Sequence, residues 1–236
     1  MNNKSQRHTI LAIAGFGDNA SMYDGLAGTA LAQDHKLIPL DLPGFGAPPL
    51  AEETSLAALA GFVAQKARET SADTIIAHSV ASIIASLAAR TPDCPLENII
   101  SLEGNLTAED AYFSGLAADY DSPEEVQVAI AAKLDGLAQT RPVIARYRDE
   151  VAKADPDALW QLGCDAKAFS KHNHPGDALM ASADVTYVYN PDNCPTATLD
   201  WLDKSDMKRI LLKGASHWPS VTEPEMLAEA IERALG

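Results

Sequence analysis

Asp73-Thr74-Ile75-Ile76-Ala77-His78-Ser79-Val80-Ala81-Ser82-Ile83-Ile84-Ala85-Ser86-Leu87-Ala88-Ala89 decides the reading of this chain. Residues 73–76 are short, β-branched and apolar, the pattern of a buried strand. Residues 82–89 are alanine-rich and read as a buried helix. Between them Ser79 stands at a strand-to-helix corner with Ala77 and Ala81 two residues away on either side. A serine at such a corner, with small residues at those two places, is the pattern of a nucleophile elbow, in which the tight turn lifts the hydroxyl above the sheet. The helix that follows aims its free N–H groups at developing negative charge. The usual form is G-x-S-x-G, and here both glycines are alanines, which tolerate positive φ less well. Taken alone, the stretch is either an elbow or an ordinary strand-to-helix turn.

Outward from this corner, short apolar runs alternate with helical patterns, as in a parallel sheet covered on both faces. Strands are expected at 8–14, 36–40, 74–77, 98–102, 184–189 and 208–212, and helices near 25–32, 55–70, 79–90 and 223–235. Thr222 with Glu225 three residues on has capping-box spacing for the last helix. The interval 105–183 carries no strand pattern, only amphipathic stretches such as 123–137 and 143–153, broken by Pro123, Pro142, Pro156 and Pro175. The expected organisation is an α/β core of residues 1–104 and 184–236 with residues 105–183 inserted as a helical cap. Ligands of open α/β sheets bind beyond the carboxyl ends of the strands, so this cap would roof the site.

Composition narrows the partners. The 236 residues are 47% hydrophobic and 22% charged, with a net charge of −15. That charge repels nucleic acid and anionic membrane, leaving a small-molecule substrate as the expected partner. Cys94, Cys164 and Cys194 are odd in number and widely spaced, which gives neither a disulfide framework nor a zinc site. His172 and His174 lack acidic or cysteine companions, so no metal is expected, and no cofactor motif is present. The polar N-terminus leads into an apolar run at 9–14 too short for a secretory signal or a membrane span, so a cytoplasmic protein is expected. The sequence does not disclose the oligomeric state.

Serine hydrolysis needs a nucleophile, a base, a carboxylate to orient the base, and donors for the oxyanion. Ser79 is the nucleophile candidate. His217, in Gly214-Ala215-Ser216-His217-Trp218-Pro219, is the base candidate, because a loop after the last strand would hang its ring over the same sheet end. Ala14-Gly15-Phe16-Gly17-Asp18 follows the first strand, so the N–H groups of Phe16 and Val80 are the expected oxyanion donors. As a dinucleotide loop this segment fails, since Ala20 stands where the third glycine belongs. Two carboxylates compete for the third place. Glu103 closes the fourth strand, where a carboxylate needs a partner to offset its desolvation, and it is preferred; Asp192, in a polar turn after the fifth strand, is the alternative. His78 sits beside Ser79, where strand alternation points its ring away from the hydroxyl.

With these motifs in order, the chain resembles the α/β-hydrolase family. The resemblance rests on Gly15-Phe16-Gly17, on Asp41-Leu42-Pro43-Gly44-Phe45-Gly46 after the second strand, on the elbow at Ser79, and on Ser216-His217-Trp218-Pro219 with Glu223-Pro224-Glu225. It implies the family's fold without its first two strands, hence a minimal six-stranded parallel sheet with helices on both faces and a helical cap. It also implies the nucleophile and base roles for Ser79 and His217, and the oxyanion role for Phe16 and Val80. The family's acid stands most often where Asp192 is and in some branches where Glu103 is. Ser216 replaces the usual glycine before the histidine. A serine at the elbow speaks against dehalogenation, which uses aspartate there. The expected reaction is hydrolysis of a small ester or related acyl compound through an acyl-enzyme. The same site used for C–C bond hydrolysis, lyase or cofactor-free oxygen chemistry is the first alternative, and a non-catalytic binding protein of the same fold the second.

Overall fold

A computed structural model describes residues 7–236, and residues 1–6 of the expected N-terminal core segment lie outside it. The apolar runs form six strands: β1 Thr9–Ile13, β2 Lys36–Leu40, β3 Thr74–His78, β4 Asn98–Leu102, β5 Asp184–Tyr189 and β6 Lys208–Leu211. The helices are α1 Ala30–Asp34, α2 Leu56–Thr70, α3 Ala81–Ala89, α4 Pro123–Ala138, α5 Pro142–Val151, α6 Pro156–His172, α7 Pro175–Met180, α8 Thr196–Lys204, α9 Pro219–Thr222 and α10 Pro224–Leu235.

The strands make one parallel sheet in the order β2-β1-β3-β4-β5-β6. Alternate residues feed two cores. Leu11, Ile13, Ile75, Ala77 and Ile99 pack on one face with Leu59 and Val63 of α2 and Ile83 and Ile84 of α3. Ile10, Ala12, Ile76 and Ile100 pack on the other with Met22, Tyr23 and Leu26, and with Leu227 and Ile231 of α10. Each buried leucine or isoleucine contributes about 1.5–3 kcal/mol. This two-faced burial makes the inner strands continuously apolar and legible in sequence.

The chain runs outward from β1 to β2 and then returns to β3 on the other side of β1, so the strand order reverses between β1 and β3. A crevice forms at such a switch point, beyond the carboxyl ends of the strands. The register places Ile13 beside Ala77 and His78 beside Leu102, with Leu102 beside Val188. The residues that follow, Gly15-Phe16, Ser79, Glu103 and Asn190, therefore share one sheet edge.

Between β4 and β5 the described chain is helical: two 3-10 segments, Ala108–Tyr112 and Ser114–Asp119, then α4 to α7. Pro123, Pro142, Pro156 and Pro175 each stand at the first residue of a helix, where a missing N–H costs nothing. Two local expectations change. The helix expected at 25–32 is a 3-10 segment, Ala20–Gly28, followed by short α1. Thr222 does not cap α10: it ends α9, and Glu223 is the N-cap. Pro224 sets that boundary, because the residue before a proline is driven out of the helical region. Among the described residues no helix is long and apolar enough to cross a membrane.

Candidate active site

Ser79 has φ 54, in the left-handed region that costs a side chain roughly 1–3 kcal/mol. The surroundings hold it there. Its N–H donates to the Leu102 carbonyl at 2.9 Å, extending the sheet by one residue, and α3 begins two residues later. Ala77 and Ala81 are fully buried, which explains why both must be small. Glu103 repeats the geometry on the next strand, with φ 45 and its N–H on the Val188 carbonyl at 2.9 Å.

His217, in the loop after β6, meets Glu103: its Nδ1 lies 2.5 Å from Glu103 Oε2. The other carboxylate oxygen accepts the Asn190 N–H at 3.0 Å and Asn193 Nδ2 at 2.8 Å. Only 4% of the Glu103 side chain is exposed, so these donors replace the water a carboxylate loses on burial. With Nδ1–H donated to Glu103, Nε2 of His217 is left as the basic nitrogen. Asp192 is exposed in the 3-10 turn Pro191–Asn193, its own N–H on Asn190 Oδ1 at 3.4 Å, and makes no hydrogen bond or ion pair with His217. The polar turn around Asp192 serves the site through Asn190 and Asn193, which sequence reasoning passed over.

His78, set aside in the sequence as turned from Ser79, also bears on the site. It is buried, its Nε2 donates to the main-chain carbonyl of His217 at 2.8 Å, and the two rings lie 4.6 Å apart. Burial first, then the neighbouring His217, holds its pKa well below the usual histidine range, so the ring is neutral. The ring packs on the loop that holds the other candidate.

Phe16 and Val80 are buried, and among the described residues neither N–H donates to a protein acceptor. The loop after β1 is tied to α5: Tyr147 OH donates to the Phe16 carbonyl at 2.7 Å, Arg146 pairs with Asp18 at 2.8 Å, and Asn19 Nδ2 donates to Glu150 at 2.6 Å. Burial raises the Asp18 pKa above the usual carboxylate value, and Arg146 opposes that shift.

Phe16, Ser79 and His217 line one cavity of about 340 Å³, together with Leu134 and Ile144 from the helical interval. Ser79 and His217 make no direct hydrogen bond in this structure. Such contacts are commonly loose without substrate and close in the complex.

The description "alpha/beta hydrolase family" fits residues 10–230 of the chain. The chain belongs to that family. This alpha/beta hydrolase is 26% identical over 246 residues to the pimeloyl-(acyl-carrier protein) methyl ester esterase of Aeromonas hydrophila, with 96% of this chain and 95% of the relative covered. Among solved structures it is similar to a thermophilic esterase from Thermogutta terrifontis, with TM-score 0.74 and 16% identity over 98% of this chain and 90% of that one. An esterase from Exiguobacterium antarcticum gives TM-score 0.76 and 12% identity over 98% and 92%. At these identities the two structures speak for the fold of this alpha/beta hydrolase.

Proposed function

We propose that this alpha/beta hydrolase cleaves a small ester through an acyl-enzyme, with Ser79 as nucleophile, His217 as base and Glu103 as the orienting acid. The observation that carries the reading is the 2.5 Å contact of His217 Nδ1 with a carboxylate buried at the end of the neighbouring strand. Glu103 fixes the tautomer and supports the imidazolium that forms when His217 takes the Ser79 proton. The Ser79 oxygen bonds to the ester carbonyl carbon, and the carbonyl oxygen becomes an oxyanion held by the Phe16 and Val80 N–H groups. Each donor of this kind is worth about 2.7–4 kcal/mol. His217 then returns the proton to the departing alkoxide, and water repeats the cycle to release the acid. Residues 105–183 act as the cap that walls the cavity above residues 1–104 and 184–236. The esterase activity of the Aeromonas relative supports the reaction class.

The test is hydrolysis of 4-nitrophenyl butyrate and labelling by a fluorophosphonate. Ser79→Ala is expected to lose at least about a thousandfold in kcat and all labelling. Wild-type turnover by Ser79→Ala would overturn the assignment.

A further inference from the structure

Among the charged groups of the cavity wall, the unpaired remainder is one-sided. Three carboxylates line it. Asp18 is taken by Arg146 and by the Asn19 N–H, both at 2.8 Å. Asp110 accepts the N–H groups of Leu106 and Thr107 at 2.9 and 2.8 Å and the Thr198 hydroxyl at 2.7 Å. Glu103 is taken by His217, Asn190 and Asn193. Each of their oxygens already accepts at least one hydrogen bond, so the bare acceptor on the wall is neutral, the buried His78 Nδ1.

The donors are different. Lys133 and Arg141 line the same cavity and are exposed, so they stand at its mouth. Arg146 and Arg148 on α5, and Lys153 just after it, are each paired with a carboxylate, whereas Lys133 and Arg141 have no ion pair among the described residues. Lys133 and Leu137 stand one turn apart on α4, and Arg141, in extended conformation at the N-cap of α5, donates its N–H to the Leu137 carbonyl at 3.2 Å, so the turn between the helices keeps the three residues together at the rim. Leu137 is 46% exposed there. Inside, the side-chain amide nitrogen of Asn105 is buried without a partner in a residue only 2% exposed, and the Trp218 indole N–H is likewise unpartnered. Both residues line the cavity. A buried donor left unpaired costs about 1–3 kcal/mol, which a ligand acceptor would recover.

We infer that the substrate is an ester whose acyl chain ends in an anionic acceptor such as a carboxylate, with the ester group at Ser79 and the anion outward between Lys133 and Arg141. This rests on the hydrolase reading above and adds the substrate's charge to it. The direction follows from the interior, where the Glu103 and Asp110 carboxylates line the wall and repel a further negative charge. The Cys194 thiol beside them is pushed up to about 12 by burial and then by the same two carboxylates, in keeping with that. In a protein of net charge −15, two unneutralised cations at a cavity mouth create a local field of the opposite sign, which concentrates an anionic substrate.

The experiment compares mono-4-nitrophenyl adipate with 4-nitrophenyl hexanoate, which share a six-carbon acyl chain and differ at its end. Wild type is expected to favour the adipate by about tenfold in kcat/KM, an advantage that shrinks at 1 M salt, where screening acts over about 3 Å. Lys133→Met with Arg141→Met is expected to abolish the preference through KM while leaving hexanoate within about twofold. No preference in wild type, or a preference that survives the double substitution, overturns the inference. Loss of the hydrolase reading shows separately, as hexanoate turnover that persists in Ser79→Ala.

Discussion

A carboxylate with 4% of its side chain exposed needs donors to replace the water it has lost, and Glu103 has three, from His217, Asn190 and Asn193. Asp192, two residues beyond Asn190, faces water. Glu103→Gln is therefore expected to lower kcat on 4-nitrophenyl butyrate by about 10²–10⁴-fold, since an amide cannot stabilise the imidazolium. Asp192→Asn should stay within about twofold; the reverse ranking would move the acid to Asp192. His78 supplies the second test at this scale. Its N–H holds the His217 main chain, so His78→Phe should lower kcat by about tenfold or more with KM little changed, and His78→Gln, whose amide nitrogen can replace Nε2, should recover most of it. The pH dependence has a definite sign. The folded pKa of His78 lies below the unfolded value of about 6.5, so the unfolded chain binds the extra proton as pH falls. Its contribution to stability is full above that value and is lost on acidification towards the depressed folded pKa. Between pH 7.5 and 5.5 the melting temperature of wild type should fall further than that of His78→Gln. Equal falls would mean that the ring titrates as freely when folded as when unfolded.

The corner between β3 and α3 could be read from Ala77 and Ala81, because sterics there admit only small residues. The two-faced burial of the inner strands made their apolar runs equally plain. The contact of Glu103 with His217 spans more than a hundred residues, which no local pattern encodes. The N-terminal boundary of α10 was misread because capping spacing at Thr222 competes with Pro224, and the proline's steric demand prevails. Asn190 and Asn193 were passed over because polar turns are common for unrelated reasons, and His78 was set aside because strand alternation points it away from Ser79. The loop that carries Glu103 exposes one more constraint hidden from sequence. A Cβ on Gly104 would lie 2.0 Å from Ser82 Oγ and 2.3 Å from Ser101 Oγ, which themselves share a buried hydrogen bond of 2.9 Å. Gly104→Ala must push β4's exit away from α3, so it is expected to destabilise by about 1–3 kcal/mol in urea unfolding. Activity should fall as well, because Glu103 is the adjacent residue. A variant within about 0.5 kcal/mol of wild type, with full activity, would show that the strand ends are less tightly held than the packing implies.

Across the molecule, the sheet edge supplies Ser79, Glu103 and the loop after β1, while α5 fixes that loop from above through Tyr147, Arg146 and Glu150. The alternation of strands and helices disclosed the sheet, and the strandless interval 105–183 disclosed a helical excursion. Its docking could not be read, since three polar residues on α5 look like any solvated helix face until Phe16, Asp18 and Asn19 are placed beneath them. The Arg146–Asp18 pair concentrates this coupling: the Asp18 side chain is 1% exposed and that of Arg146 is 21% exposed. Removing one partner of such a pair strands a buried charge, at a cost of about 3–5 kcal/mol when both are fully desolvated and less here because Arg146 is partly wet. Arg146→Met should thus be less stable than wild type at pH 7.5 and slower on 4-nitrophenyl butyrate, since the Phe16 loop loosens. The deficit must depend on pH in a fixed direction. Burial already raises the Asp18 pKa, and losing Arg146 raises it further, so the folded variant holds a proton that the unfolded chain has released. Its relative stability therefore improves as pH falls towards the ordinary aspartate range, and urea midpoints should show a smaller gap from wild type at pH 5 than at pH 7.5. A gap that is constant across that range would mean that Asp18 finds water once its partner is gone, and that α5 does not seal the loop.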